Sequence, residues 1–268
     1  MLQRIARLGI VAAALGLASC AVAPTSRYPA KGDVKPHPGV AAAQQHPIHG
    51  IDISKWQGPV DWASARAAGT QFAFIKATEG GDHVDERFHE NWHAAKRAGV
   101  PRGAYHFIWW CRPAHEQAEW FRRNVPPDPD ALPPVLDLEW NNSSRCSQRV
   151  PREQALAMTR TMLEAMEAHT GKRPIIYTDI NFHADVLDGE LDEYPYWLRS
   201  VAAEPHERYS NRRWTFWQFT TTGRVPGVSG HVDRNVFYGT ENQWRSFLAT
   251  HCDPRDAKHL QRVGLCGK

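Results

Sequence analysis

The sequence predicts an α/β protein: a single barrel of five βα units followed by three further strands. Three observations predict it. From residue 49 to about residue 190, apolar β-rich runs alternate with amphipathic helical stretches, and such alternation builds parallel βα units. Beyond residue 190 the runs YPYWLRS, RWTFWQFT and GHVDRNVFY read as three strands with little helix between them. Five strands and three make eight, enough to close a barrel. A chain of 268 residues is long enough to bury such a core, and it shows no internal repeat and no second domain.

Each element has its own signal. HGIDIS (49–54) reads as the first strand and VDWASARAAG (60–69) as an amphipathic helix. QFAFIKAT (71–78) is a β-rich run, followed by helical ERFHENWHAAKRAG (86–99). RGAYHFIWW (102–110) is the third strand and AHEQAEWFRRN (114–124) the helix after it. LPPVLDLEW (132–140) is the fourth strand, and REQALAMTRTMLEAMEAHTG (152–171) a long helix ending at a capping glycine. RPIIYTD (173–179) is the fifth strand. The barrel domain is expected over residues 48–250, with a C-terminal tail over 251–268.

The first twenty residues read as an export signal rather than as part of the fold. MLQRIARLG carries Arg4 and Arg7, and IVAAALGLA is an apolar segment too short for a comfortable membrane span. Leu17-Ala-Ser-Cys20 then matches the pattern of a bacterial lipobox, which predicts a lipoprotein signal peptide over residues 1–19 and a lipid anchor on Cys20. The plainer alternative is a chance cysteine beside an ordinary signal peptide. Residues 21–47 are rich in Pro, Ala and Gly without periodicity and read as a disordered tether. A flexible linker of that length reaches about 30 Å. With Cys20 set aside, Cys111, Cys146, Cys252 and Cys266 remain. Four cysteines in an exported chain suggest two bridges, with three connectivities open. Cys111–Cys146 and Cys252–Cys266 are the simplest pairing, each stapling a local loop. No pair has the spacing of a zinc or redox site.

Composition excludes little else. The chain is 42% hydrophobic and 23% charged, ordinary for a globular protein. Its formal net charge of +3 is too small to argue for nucleic acid. Eleven tryptophans suit either a core or carbohydrate rings.

The chemistry gathers at strand ends. Side chains alternate along a strand, so Asp137 and Glu139 in PPVLDLEWNN face one way while Leu136 and Leu138 face the other. Both acids lie at the C-terminal end of the fourth strand, the end that carries the active site in α/β barrels. Two sheltered carboxylates repel, which raises the pKa of one. That division between a protonated and an ionised acid serves glycoside cleavage. On the D-L-E triplet alone, a structural ion pair and a catalytic dyad stay equally open. Asp52, Glu79 and Asp233 occupy comparable strand-end positions, with Tyr105 and His106 on the third strand. Trp56, Trp109, Trp110, Trp140, Trp197 and Trp217 occur on or beside the same strands. Any one of them is more simply a core residue, but acids and aromatics together at one barrel end suggest a sugar cleft.

Two motifs lead elsewhere and are set aside. HENWH (89–93) has the spacing of zinc peptidases, but Phe88, Trp92, Ala95 and Gly99 trace the inward face of its helix and turn His89 and His93 toward solvent. GVSGH misses the spacing of a serine-hydrolase elbow.

GIDISKWQGPVDW, FAFIKATEG, GVPRGAYHF, LPPVLDLE, PIIYT, FWQFT and VDRNVF occur in this order over residues 49–238. As a series they resemble glycoside hydrolase family 25, the N-acetylmuramidase lysozymes, across the whole folded part. The resemblance implies an irregular TIM-like barrel that cleaves the β-1,4 bond between N-acetylmuramic acid and N-acetylglucosamine without a metal or other cofactor. It implies Glu139 as general acid and Asp137 as second carboxylate or as the group that orients the substrate's 2-acetamido. It also implies Asp52 and Asp233 as further acidic cleft residues and Tyr105 as the cleft tyrosine. Glu79, Trp140, Trp197, Trp217 and Gln218 are expected to line the substrate cleft. The expected partners are peptidoglycan strands and, through Cys20, a membrane; the expected state is a monomer.

Departures from compact secreted members are the lipobox and tether, the loop SSRCSQRV after the catalytic strand, and the cysteine-bearing tail. In a Gram-negative host, Ala21 rather than Asp after the lipidated cysteine favours the outer membrane. A chitinase-like or endo-N-acetylglucosaminidase activity is the competing enzyme reading, and a non-catalytic wall-binding module the competing class. The new reducing-end sugar separates the first from muramidase. The intact set Asp52, Asp137, Glu139 and Asp233 argues against the second.

Overall fold

The computed structural model describes residues 39–253, position 211 excepted. Cys20, Cys266, the signal peptide and the tether before residue 39 lie outside the described residues. In chain order the elements are β1 (His49–Ile53), α1 (Trp62–Ala67), β2 (Phe72–Glu79), β3 (His83–Val84) and α2 (Phe88–Arg97). Then come β4 (Arg102–Phe107), α3 (Ala114–Asn124), β5 (Val135–Leu138), α4 (Arg152–Thr170), β6 (Ile175–Thr178) and α5 (Ile180–Phe182). The chain closes with β7 (Tyr196–Arg199), α6 (Pro205–Arg208), β8 (Phe216–Gly223), β9 (Val232–Phe237) and α7 (Glu241–Thr250).

The strands run in the order β1-β9-β8-β7-β6-β5-β4-β2, and pairing of β1 with β2 closes them into an eight-stranded barrel. β3 is an extra strand, antiparallel to β2. The five βα units and three following strands are present as the pattern predicts. Local chemistry explains the helix ends. Asp61 accepts from the amides of Ala63 and Ser64, both at 3.1 Å, to start α1, and Gly171 ends α4 at φ 70°.

The last strand is not like the others. β9 runs antiparallel to both β8 and β1, with Asp233 opposite Asp52. Reversal brings the start of β9, rather than its end, to the active end of the barrel.

Strand alternation divides the core into two layers. Leu136, Leu138, Ile176 and Leu198 face outward, packed with helix residues such as Trp92, Phe121 and Met162. Inward-facing Phe72, Phe74, Val135, Ile175, Trp197, Phe216 and Phe237 fill the barrel. Trp244 and Phe247 of α7 pack on this group, with Phe72 and Trp244 ring centroids 5.5 Å apart, and so close its N-terminal end.

Three features depart from expectation. α7 was not anticipated as an element, although Thr240 and Gln243 form a capping box that marks its start. β3 is too short to carry a periodic signal. The expected tether reaches too far: Ala41–Gln45 forms a 3₁₀ turn, and Ala43 is buried with Trp217, Phe219 and Val236 on the outside of β8 and β9. Among the described residues it is this segment before β1 that packs on the outer apolar face of those strands. Among the described residues no helix is long and apolar enough to cross a membrane.

Candidate active site

The C-terminal ends of the parallel strands form the mouth. β1 presents Asp52, β5 presents Asp137 and, one step beyond its end, Glu139. Asp179 follows β6, and Asp233 opens β9. Five carboxyl groups from four strands therefore meet above an aromatic floor. Arg199 is the cation whose charge acts on Asp52, Glu139, Asp179 and Asp233.

Asp52 is held most tightly. Its Oδ2 accepts from Asn235 Nδ2 at 2.8 Å and from Gln218 Nε2 at 3.0 Å. Gln218 Nε2 also lies 3.2 Å from Asp233 Oδ2. Asn235 is in turn oriented by Trp197, whose indole nitrogen donates to Asn235 Oδ1 at 2.8 Å. The Tyr177 hydroxyl donates to Gln218 Oε1 at 3.0 Å and lies within hydrogen-bonding reach of the Glu139 carboxyl. Lys76 pairs with Glu79 beside the same opening. Asp137 Oδ1 is buried and has no hydrogen-bond partner among the described residues.

Low-dielectric surroundings make these acids hold their protons. Burial raises Glu139 to about 7, with the charge of Asp179 adding to it. Burial likewise raises Asp52 to about 6, against the pull of its amide donors. Asp137 is pushed well up by burial and by Glu139. Asp233 is also pushed well up, by burial and by Asp52. A cluster of this kind retains a proton near neutral pH, which general acid chemistry requires.

The expected site residues divide into three groups. Asp52, Asp137, Glu139, Asp233, Tyr105 and Glu79 come together at the mouth. Gln218 is there too, but it is buried and orients two acids rather than lining an open cleft. Trp197 and Trp217 are corrected: at 2% and 1% exposure they present no surface to a substrate. Inward Trp197 supports Asn235, whereas outward-facing Trp217 donates to the Ser200 carbonyl at 2.8 Å beneath the N-terminal segment. Trp140 is nearly buried, packed edge-to-face on Phe182 and bonded through its indole nitrogen to Asp185. Trp56 is the tryptophan that stands clear, 82% exposed on the turn after β1.

Sequence reasoning missed Tyr177, Asp179, Arg199 and Asn235. Each lies two residues from another inward position on its strand, so stepping the period of two along every strand would have found them. His89 and His93 are exposed, and Phe88, Trp92 and Ala95 are buried, as the helical phase predicts, although Gly99 is exposed too. No cluster of His, Cys, Asp or Glu side chains among the described residues is arranged to hold a metal. Cys111 and Cys146 form a disulfide. Cys252 is also disulfide-bonded; Cys266, its expected partner, lies outside the described residues.

A barrel with paired carboxyl groups above its parallel strand ends defines a glycoside hydrolase class of site. Comparison narrows the class: residues 51–228 match Glycosyl hydrolases family 25, and the chain belongs to that family. It is 38% identical over 213 residues to Lysozyme M1 of Streptomyces globisporus, covering 75% of this chain and 71% of that protein. YegX of Escherichia coli K12 is 39% identical over 208 residues, covering 75% and 73%. Among solved structures, a family 25 glycosyl hydrolase from Bacillus anthracis superposes with a TM-score of 0.72 at 34% identity, covering 80% of this chain and 97% of that one. A bacterial lysozyme from Streptomyces coelicolor gives 0.68 at 36% identity, covering 76% and 97%.

Proposed function

We propose that this protein is a peptidoglycan hydrolase that cleaves the β-1,4 bond between N-acetylmuramic acid and N-acetylglucosamine. The observation that carries the reading is the carboxyl cluster at the mouth, in a family whose similar members are named lysozyme and N,O-diacetylmuramidase. Glu139, raised to about 7 by burial, is the general acid. Its proton passes to the glycosidic oxygen as the bond to the anomeric carbon breaks. Asp137 sits on the same strand face with an open acceptor oxygen. It accepts the N–H of the substrate's acetamido group, whose carbonyl oxygen attacks the anomeric carbon. Glu139, now ionised, then takes a proton from the water that opens the cyclic intermediate, and configuration is retained. Asp52 and Asp233 bind and orient the sugar from the opposite side of the barrel, with Tyr105 between.

Digestion of purified peptidoglycan, with mass spectrometry of the new reducing ends, tests this. Muramic acid ends support it; glucosamine ends transfer the assignment to an endo-N-acetylglucosaminidase. A glycosyl ester trapped on Asp137 would replace acetamido participation by a covalent enzyme intermediate.

The lipobox at Leu17–Cys20 supports a second part of the reading. The protein is a lipoprotein, anchored through Cys20 and acting as a monomer on the wall facing its membrane. Labelling with a radioactive fatty acid, lost in Cys20→Ala, tests the anchor.

A further inference from the structure

Glu139 lies one residue past the strand that delivers it: the β5–β6 ladder ends at Leu138 opposite Thr178. Its peptide is fastened instead by the loop after β4. The Trp110 indole nitrogen donates to the Glu139 carbonyl oxygen at 2.7 Å. Trp110 itself is 1% exposed and stacks on Phe182, with ring centroids 4.8 Å apart and planes 14° from parallel.

The loop that carries Trp110 is tied on both sides. From the loop after β5, Asn141 accepts from the Trp110 amide and donates to the Ile108 carbonyl, both at 2.8 Å. From α3, the buried Gln117 accepts from the Trp109 amide at 2.8 Å and donates to the carbonyls of Trp109 and Arg112 at 2.8 and 2.9 Å. Next along the chain, the Cys111–Cys146 disulfide joins this loop to the one that follows Glu139. Buried polar groups this fully satisfied specify a single arrangement. Two bonds leave the bracket toward the mouth: the Ile108 amide donates to the Asp137 carbonyl at 3.2 Å, and the Trp110 indole reaches the peptide of Glu139.

We propose that Trp110 is a positioning residue for Glu139, and that Asn141 and the Cys111–Cys146 bridge hold it to that task. The proposal rests on Glu139 being the general acid. A carboxyl group beyond the end of its ladder owes its place to whatever fixes its peptide, together with the Tyr177 hydroxyl that reaches the carboxyl itself. Misplacement by about 1 Å can cost on the order of a hundredfold in rate. Because one tie is a disulfide, catalytic competence is coupled to the redox state of the compartment.

The test compares kcat and KM on purified peptidoglycan across pH for wild type, Trp110→Phe and the double variant Cys111→Ser/Cys146→Ser. Trp110→Phe keeps an aromatic ring and removes the N–H. It is expected to lower kcat about tenfold to a hundredfold while leaving KM within about twofold. The basic limb of kcat should also move below that of wild type, because a carboxyl free to turn toward water loses desolvation. The cysteine variant should move both readouts the same way by less. The two changes combined should cost less than the product of their separate effects, since they loosen one bracket. Wild-type kcat and limb in Trp110→Phe would overturn the proposal, as would a rate loss that only tracks its folded fraction. A carbon-13 titration of the Glu139 carboxyl reads the limb without turnover. No shift there in Trp110→Phe overturns the positioning role, whereas full activity of Glu139→Gln overturns the assignment beneath it.

Discussion

The lower and upper halves of the barrel interior are made of different chemistry, and each strand changes from one to the other within two residues. Phe74 gives way to Lys76, Val135 to Asp137, Trp197 to Arg199 and Phe216 to Gln218. On the reversed β9 the order inverts, from Asp233 through Asn235 to Phe237. The lower half creates a medium and the upper half uses it. An aromatic floor sealed by α7 keeps water from reaching the acids from below. Their charged forms are therefore poorly solvated, and the protons stay. Stability resides in one half and reactivity in the other, within the same eight strands.

Substitutions can break that division or sharpen it. The largest effect is expected in the upper half. Glu139→Gln should lower release of muramic ends by about 10²–10⁴-fold while the protein remains folded. Far-ultraviolet dichroism beside the mass-spectrometric assay checks both parts.

Next comes the floor. Phe216→Ala removes a fully buried ring that meets Phe72, Phe74, Phe237 and Phe247 and should cost about 3–5 kcal/mol of stability in urea unfolding. The fraction still folded should keep the wild-type basic limb. A shifted limb would mean that floor and acids are less separable than the comparison holds.

An effect no larger comes from pH. Glu139 and Asp52 have folded pKa values raised to about 7 and about 6. Their protonated forms favour the folded state, a contribution complete below the unfolded values near 4 and lost as pH rises through the folded ones. Stability should therefore fall by up to about 5 kcal/mol between about pH 4 and 7. Glu139→Gln, neutral throughout, should flatten part of that slope and be more stable than wild type at pH 8. An equal slope in both would remove Glu139 from the cause.

The smallest effect lies outside the barrel. His89→Ala and His93→Ala on the exposed face of α2 should each change stability by less than about 0.5 kcal/mol. Activity should survive both, and survive a chelator.

Much of this was legible in the sequence because period and position are local properties. Asp137 and Glu139 share a face by alternation alone, and the phase of HENWH alone turns His89 and His93 to solvent. The tryptophans show where locality ends. Trp197 and Trp217 sit in similar apolar strands near polar partners, and neither chain segment states what will cover it. One became the buried support of Asn235. The other became the outer surface on which Ala43 packs, a neighbour 174 residues away in sequence (217 minus 43). The turn at Ala41–Gln45 has the same reason, since it carries no helical signal of its own and packs through Ala43 on strands far along the chain.

The sequence by itself determined the five βα units and the three strands after them, their inward and outward faces, and the pair of acids at the end of β5. These follow from side-chain alternation and from caps such as Asp61 and Gly171, which need only neighbouring residues. The tertiary structure decided which acids meet. Reversal of β9 sets Asp233 beside Asp52, barrel closure buries Glu139 deeply enough to keep its proton, and a loop from β4 holds its peptide. Proximity and desolvation depend on residues far apart in the chain, and only the closed barrel brings them together.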